Sequence, residues 1–140
     1  MAVQLREMTL ADYDEVYALW AASEGIGLSS ADSREAIGAF LQRNPGLAFV
    51  AVDGDIIVGA VICGTDGRRG YLHHLAVRSS HKRQGIGRHL AQACLNRLRE
   101  QGIEKCHIFV YRENHSARQF WESIGWVERV ELVLMTKTLD

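Results

Sequence analysis

The sequence predicts a mixed α/β fold, one sheet covered by helices. Apolar residues at helical spacing alternate along the chain with short apolar runs bounded by turn residues. Three of those runs follow one another in mid-chain, separated only by tight turns. The resulting order, β-α-α-β-β-β-α-β-α-β, suits a single sheet with helical cover. It predicts about six to seven strands, the tail counting as one or two, and about four helices. At 140 residues the chain is expected to form one domain over 1–140.

Residues 3–7 alternate as a short strand. Thr9 and Asp12 have the spacing of a capping box, and Tyr13, Val16, Tyr17 and Trp20 form one apolar stripe, so a helix runs to about Ser23. Gly25 and Gly27 break it. A second helix starts near Ser30, buries Ile37, Phe40 and Leu41, and ends before Asn44-Pro45-Gly46. Strands over 47–53 and 56–64 flank Asp53-Gly54-Asp55, a hairpin signal, and a third covers 71–77. A long helix over about 84–101 carries the stripe Ile86, Leu90, Cys94 and Leu98 and stops at Gly102. A strand over 106–111 follows, then a helix from Asn114 to about Ser123 that buries Ala117, Phe120, Trp121 and Ile124. The tail, 126–139, reads as one or two strands.

Sixteen basic residues against seventeen acidic ones leave a net charge of −1, which creates no field for nucleic acid or an anionic membrane. Cys63, Cys94 and Cys106 lie in apolar runs without a CxxC, so they read as buried thiols and not as a disulfide frame or a zinc site. No signal-peptide pattern opens the chain and no apolar run is long enough to span a bilayer. The expected location is cytoplasmic.

The chemistry is concentrated in residues 75–95, LAVRSSHKRQGIGRHLAQACL. A strand ends at Val77, a polar loop follows, and Gly85-Ile86-Gly87 opens a strongly periodic helix. The first amides of a helix lack intrahelical acceptors and carry the positive end of its dipole. Glycines admit a ligand to that backbone, and Lys82, Arg83 and Arg88 add charge, so the segment suits a diphosphate. The third glycine of a dinucleotide fingerprint and the Gly-Lys-Ser/Thr ending of a P-loop are both missing. A basic loop whose glycines only permit a tight turn is the plainer alternative.

This segment resembles motif A of the GNAT superfamily of acetyl-CoA-dependent N-acyltransferases, Gln/Arg-x-x-Gly-x-Gly/Ala. The pattern falls on Lys82, Gly85 and Gly87, with lysine a departure at its first position. Downstream, Asn114, Ala117, Phe120, Gly125 and Trp126 are similar to the family's Asn-x-x-Ala-x-x-Phe-Tyr-x-x-x-Gly-Phe segment. The run GTDGRRGYLHHLAV looks most like small stand-alone bacterial members of the YpeA type. The resemblance covers essentially the whole chain and implies a mostly antiparallel sheet. It implies acetyl-CoA as co-substrate, with no metal, and an amine as acceptor: a small amine, a peptide N-terminus or a lysine. The coenzyme would lie on the backbone of Leu75, Ala76 and Val77 and on Lys82, Arg83, Gln84, Gly85, Ile86, Gly87 and Arg88. Asn114 would contact it by its side chain, although a helix N-cap suits that residue type equally.

Transfer to an alkyl amine calls for a base, because at pH 7 only about one such amine in a few thousand is unprotonated. Strict alternation over Tyr71-Leu72-His73-His74-Leu75 places Tyr71 and His73 on one face with Leu75, and His74 on the other. Many related enzymes carry a glutamate where His73 stands, which makes His73 the candidate base beside Tyr71; His74 is expected to be packed. Trp121 occupies the position of the family's tyrosine acid, and indole cannot replace that acid. Trp121 is therefore expected in the core, with Tyr111 a candidate donor on the adjacent strand. Acceptor recognition is expected from the first two helices and the last strands. There Asp14, Glu15, Glu24, Asp32, Glu35, Glu128 and Glu131 would suit a cation, although solvated faces explain most of those charges equally well. The missing tyrosine also admits a non-catalytic acyl-CoA-binding module. A nucleotide-phosphate binder is a third possibility. Monomer and homodimer are both open.

Overall fold

The structure, a computed structural model, describes residues 3–140. The chain divides into two compact units, Met1–Phe109 and Val110–Asp140. The first holds a five-stranded sheet in the order β1-β2-β3-β4-β5, formed by Val3–Glu7, Phe49–Asp53, Ile56–Thr65, Gly70–Val77 and Cys106–Ile108. All neighbours are antiparallel except β4 and β5, which run parallel. Helices α1 (Tyr13–Ala21), α2 (Arg34–Arg43) and α3 (Ile86–Glu100) complete this unit.

Local chemistry sets each element. A 3-10 turn, Leu10–Asp12, leads into α1, and the Thr9 N–H donates to the Asp12 carboxylate at 2.9 Å, the expected Thr9/Asp12 pairing. Asp12 also accepts two bonds from Arg6, at 2.8 and 2.9 Å, which hold its carboxyl below the usual range and tie α1 to β1. A second 3-10 turn, Ser30–Asp32, precedes α2, which is capped by Ser33 accepting from the Ala36 N–H at 3.1 Å. The β2–β3 hairpin turns at Gly54, whose φ of +63° only glycine adopts without cost.

Val16 and Trp20 of α1 and Ile37 of α2 bury against Val50, Ala60, Ile62 and Ala76, which line one face of the sheet. The α3 stripe, Ile86, Leu90, Cys94 and Leu98, covers the other face and is as buried as its period requires. Close approach depends on missing side chains: a Cβ on Gly59 would stand 3.0 Å from Leu90 Cδ1, and one on Gly70 would overlap Leu98. Cys63 and Cys94 are buried as expected, while Cys106 is half-buried; all three are free thiols.

The unit Val110–Asp140 contains α4, His115–Ser123, and its departures from expectation have one source. The strand predicted over 106–111 stops at Ile108, and the tail forms no strand, so the described residues hold five strands where six to seven were expected. A strand exists only as part of a ladder, and this unit holds no second strand to pair with the tail. Apolar alternation marked residues able to pair; it could not supply the partner. Ala117, Phe120, Trp121 and Ile124 form the least exposed stripe of α4, yet none is fully buried. Trp121 packs edge-on against Phe120 and Trp126, each with ring centroids 5.0 Å away.

Candidate active site

The site is built where β4 parts from its neighbours and runs into α3. Pairing of β4 with β5 covers only Gly70–Leu72 against Cys106–Ile108. From His73 onward the outer edge of β4 has no strand partner among the described residues, so its N–H and C=O groups are free to bind something extended. Leu75, Ala76 and Val77 lie on this open edge.

The inner edge is interrupted in the same place. The register with β3 jumps from Ala60↔Ala76 to Ile62↔His73, so His74 and Leu75 together oppose Val61. His74 takes φ +56°, a β-bulge on a non-glycine residue. The bulge corrects the alternation expected from sequence. His73 pairs with Ile62 and shares its face with Ala76, three residues on, while Leu75 turns to the opposite face. His74 comes to the α1 side, its ring 5.0 Å from that of Trp20. Tyr71 and His73 do share a face, as expected; Leu75 does not join them.

Rings line that face. His73 is edge-on to Phe40 of α2 at 6.3 Å and stacked on Phe109 at 6.3 Å, and Tyr71 stacks on Phe109 at 6.5 Å. Burial, then the charge of neighbouring His74, holds His73 below the ordinary imidazole value against an opposing pull from Asp32. His73 is therefore neutral at pH 7, the form a base must have.

At the end of β4 a 3-10 turn, Ser79–His81, leads to the loop. His81 fixes it: one ring nitrogen is 2.7 Å from Ser80 Oγ and the other 2.8 Å from Asp53 at the β2–β3 turn. Arg83 (φ +65°) and Gly85 (φ +83°) then bend the backbone back on itself. Left-handed geometry costs a residue with a Cβ about 1 kcal/mol, so the loop holds Arg83 in a conformation it would not choose alone. Helix α3 begins at Ile86, and its first bond is His89 N–H to Gly85 C=O at 3.0 Å. The amides of Ile86, Gly87 and Arg88 have no acceptor among the described residues. Lys82, Arg83, Gln84 and Arg88 are exposed, and none of the three cations is ion-paired among the described residues. Arg78, exposed and also unpaired, adds a fourth cation that motif reading did not single out, although its place at the loop entrance was visible.

Asn114 caps α4, accepting from the Ala117 N–H at 3.2 Å. Tyr111 lies outside any strand and is 60% exposed, which corrects its expected place on the strand adjacent to β4: β5 ends three residues earlier. Among the described residues no cluster of His, Cys, Asp or Glu could hold a metal ion, and no helix is long and apolar enough to cross a membrane.

An open strand edge feeding an amide-rich, cationic helix start has the form that suits an extended ligand ending in phosphate. The match to known families gives that class a narrower form. Residues 13–126 match the model of the Acetyltransferase (GNAT) family, and the chain belongs to that family. It is 34% identical over 92 residues to N-alpha-acetyltransferase 30 of Schizosaccharomyces pombe, covering 62% of this chain and 61% of that protein. The match to the Xenopus laevis protein of that name spans 34% of its length, so this chain corresponds to part of these relatives. An acetyltransferase of Sodalis glossinidius is 25% identical over 137 residues, 98% of this chain and 96% of that one. The fold is shared with Ard1 from Thermoplasma volcanium, with a TM-score of 0.81 at 23% identity over 91% of this chain and 84% of that one. It is shared as well with the PaiA N-acetyltransferase from Thermoplasma acidophilum in complex with coenzyme A, with a TM-score of 0.80 at 18% identity and 89% of each chain covered.

Proposed function

We propose that the protein transfers the acetyl group of acetyl-CoA to a primary amine by direct attack in a ternary complex. The observation that carries this reading is the unpaired outer edge of β4 leading into the free amides at the start of α3. Acetyl-CoA has the matching form: a diphosphate, then an extended arm with amide groups, then a thioester.

In this reading the amides of Ile86, Gly87 and Arg88 hold the diphosphate, and Lys82, Arg83 and Arg88 neutralise it. The loop residues Gln84 and Gly85 complete the cradle. The arm pairs with the β4 backbone at Leu75, Ala76 and Val77 and adds, in effect, a strand. That places the thioester near the bulge. The amine enters on the face lined by Tyr71 and His73, and the β4 histidines supply the base. A thiolate with a pKa near 8.5 leaves without help, so Trp121 in the tyrosine position is compatible with turnover. The similarity to a protein named N-alpha-acetyltransferase supports a peptide N-terminus among the primary amines.

The test is ligand-induced stabilisation. Acetyl-CoA at 100 times its Kd should add about 2.7 kcal/mol, a rise in Tm of about 10 °C for a domain of this size. Gly87→Val places a branched side chain where the coenzyme must approach and should abolish the rise while the protein stays folded. A rise with ATP and none with acetyl-CoA would replace this reading with that of a nucleotide binder.

A further inference from the structure

Two histidines stand side by side on β4, and the fold treats them differently. Neither ring nitrogen of His73 forms a hydrogen bond among the described residues, so nothing fixes its tautomer. His74 is held: its Nε2 lies 2.9 Å from Asp32 Oδ1, and its ring rests against the buried indole of Trp20. Asp32 is itself fixed, with 6% of its surface exposed. Its Oδ2 accepts the Ser29 N–H at 3.0 Å, and its backbone carbonyl accepts the Tyr13 hydroxyl at 2.6 Å.

A carboxylate accepts and cannot donate, so the proton of a neutral His74 belongs on Nε2 and the lone pair on Nδ1. That Nδ1 makes no hydrogen bond among the described residues. Among them the only side-chain polar atom both buried and unpartnered is Trp20 Nε1, and the His74 side chain keeps 19% of its surface exposed. The titratable groups around the ring are Asp32 before α2, Tyr13 on α1 and His73 beside it; β3 presents Ala60 and Ile62. The bulge is what turns His74 toward Asp32, so the strained backbone and the His74–Asp32 hydrogen bond belong to one device.

We propose, resting on the reading of the chain as an amine acetyltransferase, that His74 is the catalytic base and Asp32 the positioning residue that fixes its tautomer. The amine nitrogen attacks the thioester carbonyl carbon, and its proton passes to Nδ1 of His74. The N–C bond forms, the C–S bond breaks and its electron pair leaves on sulfur. The imidazolium, still hydrogen-bonded to Asp32 through Nε2–H, then returns its proton to the thiolate or to water. A base oriented by a third group is the arrangement general-base chemistry uses elsewhere. His73, unoriented and with its proton affinity lowered by burial, is the weaker candidate.

Asp32→Asn tests the pair with little change of shape. The amide oxygen can still accept from Ser29, while its NH₂ donates to Nε2 and moves the imidazole proton to Nδ1, occupying the lone pair the reaction needs. Turnover should fall about 10²-fold or more near neutral pH with acetyl-CoA affinity within about twofold of wild type. Nitrogen-15 imidazole spectra should show the Nε2–H tautomer at His74 in the wild type and Nδ1–H in the variant. His74→Gln should lose as much activity and carries the test if Asp32→Asn fails to fold. A wild-type His74 protonated on Nδ1, or Asp32→Asn within threefold of wild type, would overturn the proposal alone. A wild-type protein that releases no thiol with any primary amine would overturn the acetyltransferase reading, and this proposal with it.

Discussion

The contact between Gly70 and Leu98 makes a quantitative demand on the fold that positions the site. Gly70 begins β4, pairs with Cys106 of β5, and donates its N–H to Lys105 C=O at 2.9 Å. A methyl group on Gly70 would overlap Leu98 Cδ1 and stand 3.0 Å from Cδ2 and 3.3 Å from Cγ. Carbon atoms at rest sit about 3.5–4.0 Å apart, so either the Leu98 side chain or the helix must move. Leu98 is 2% exposed and has little room to do so. Overpacking of this kind costs about 1–3 kcal/mol, offset by less than about 1 kcal/mol from the stiffer unfolded chain. Leu98→Ala should cost about 2–5 kcal/mol through the cavity it leaves. Gly70→Ala in that background refills part of the cavity, so the double variant should be more stable than the summed single effects by at least about 1 kcal/mol. Urea titrations of the four proteins give the coupling from their midpoints if the slopes agree. Effects that add to within about 0.5 kcal/mol would refute the close seating of α3 on β4.

Two other expectations concern single side chains. Because His73 takes its proton at lower pH when folded than when unfolded, the unfolded chain binds more protons below about pH 6.5, and stability falls as the pH drops through that region. His73→Gln should flatten that fall in Tm between neutral pH and about 5; Asp12, held low by Arg6, acts in a separate window below its ordinary value. Trp121→Ala should cost about 1–2 kcal/mol by urea titration, less than the 3–5 of a fully buried aromatic, because Trp121 is only half-buried against Phe120 and Trp126.

Much of the first unit was legible because its signals are local. The hairpin at Asp53-Gly54-Asp55, the α3 stripe and the glycine turn each lie within about a dozen neighbouring residues and appear where expected. The bulge at His74 was not legible. Strict alternation assumes one residue per rung, and nothing in Tyr71-Leu72-His73-His74-Leu75 marks the residue at which the ladder slips. That one slip moved Leu75 off the histidine face and brought His74 onto it. The partner of His74 was hidden for a different reason: Asp32 lies 42 residues away, and it read as one acidic residue among several. The tail strands failed because alternation reports what a segment can bury, not whether a neighbouring strand exists to receive it.

The central claim is that acetyl-CoA bound along β4 and α3 gives up its acetyl group to an amine. It is tested most directly by following free thiol from acetyl-CoA across a panel of primary amines that includes short peptides with free N-termini. Thiol release that requires the amine, matches acetylated amine mole for mole and disappears in Gly87→Val is the predicted result. Acetyl-CoA binding with no thiol release on any amine would contradict the claim, and would leave the protein an acyl-CoA-binding module instead of a catalyst.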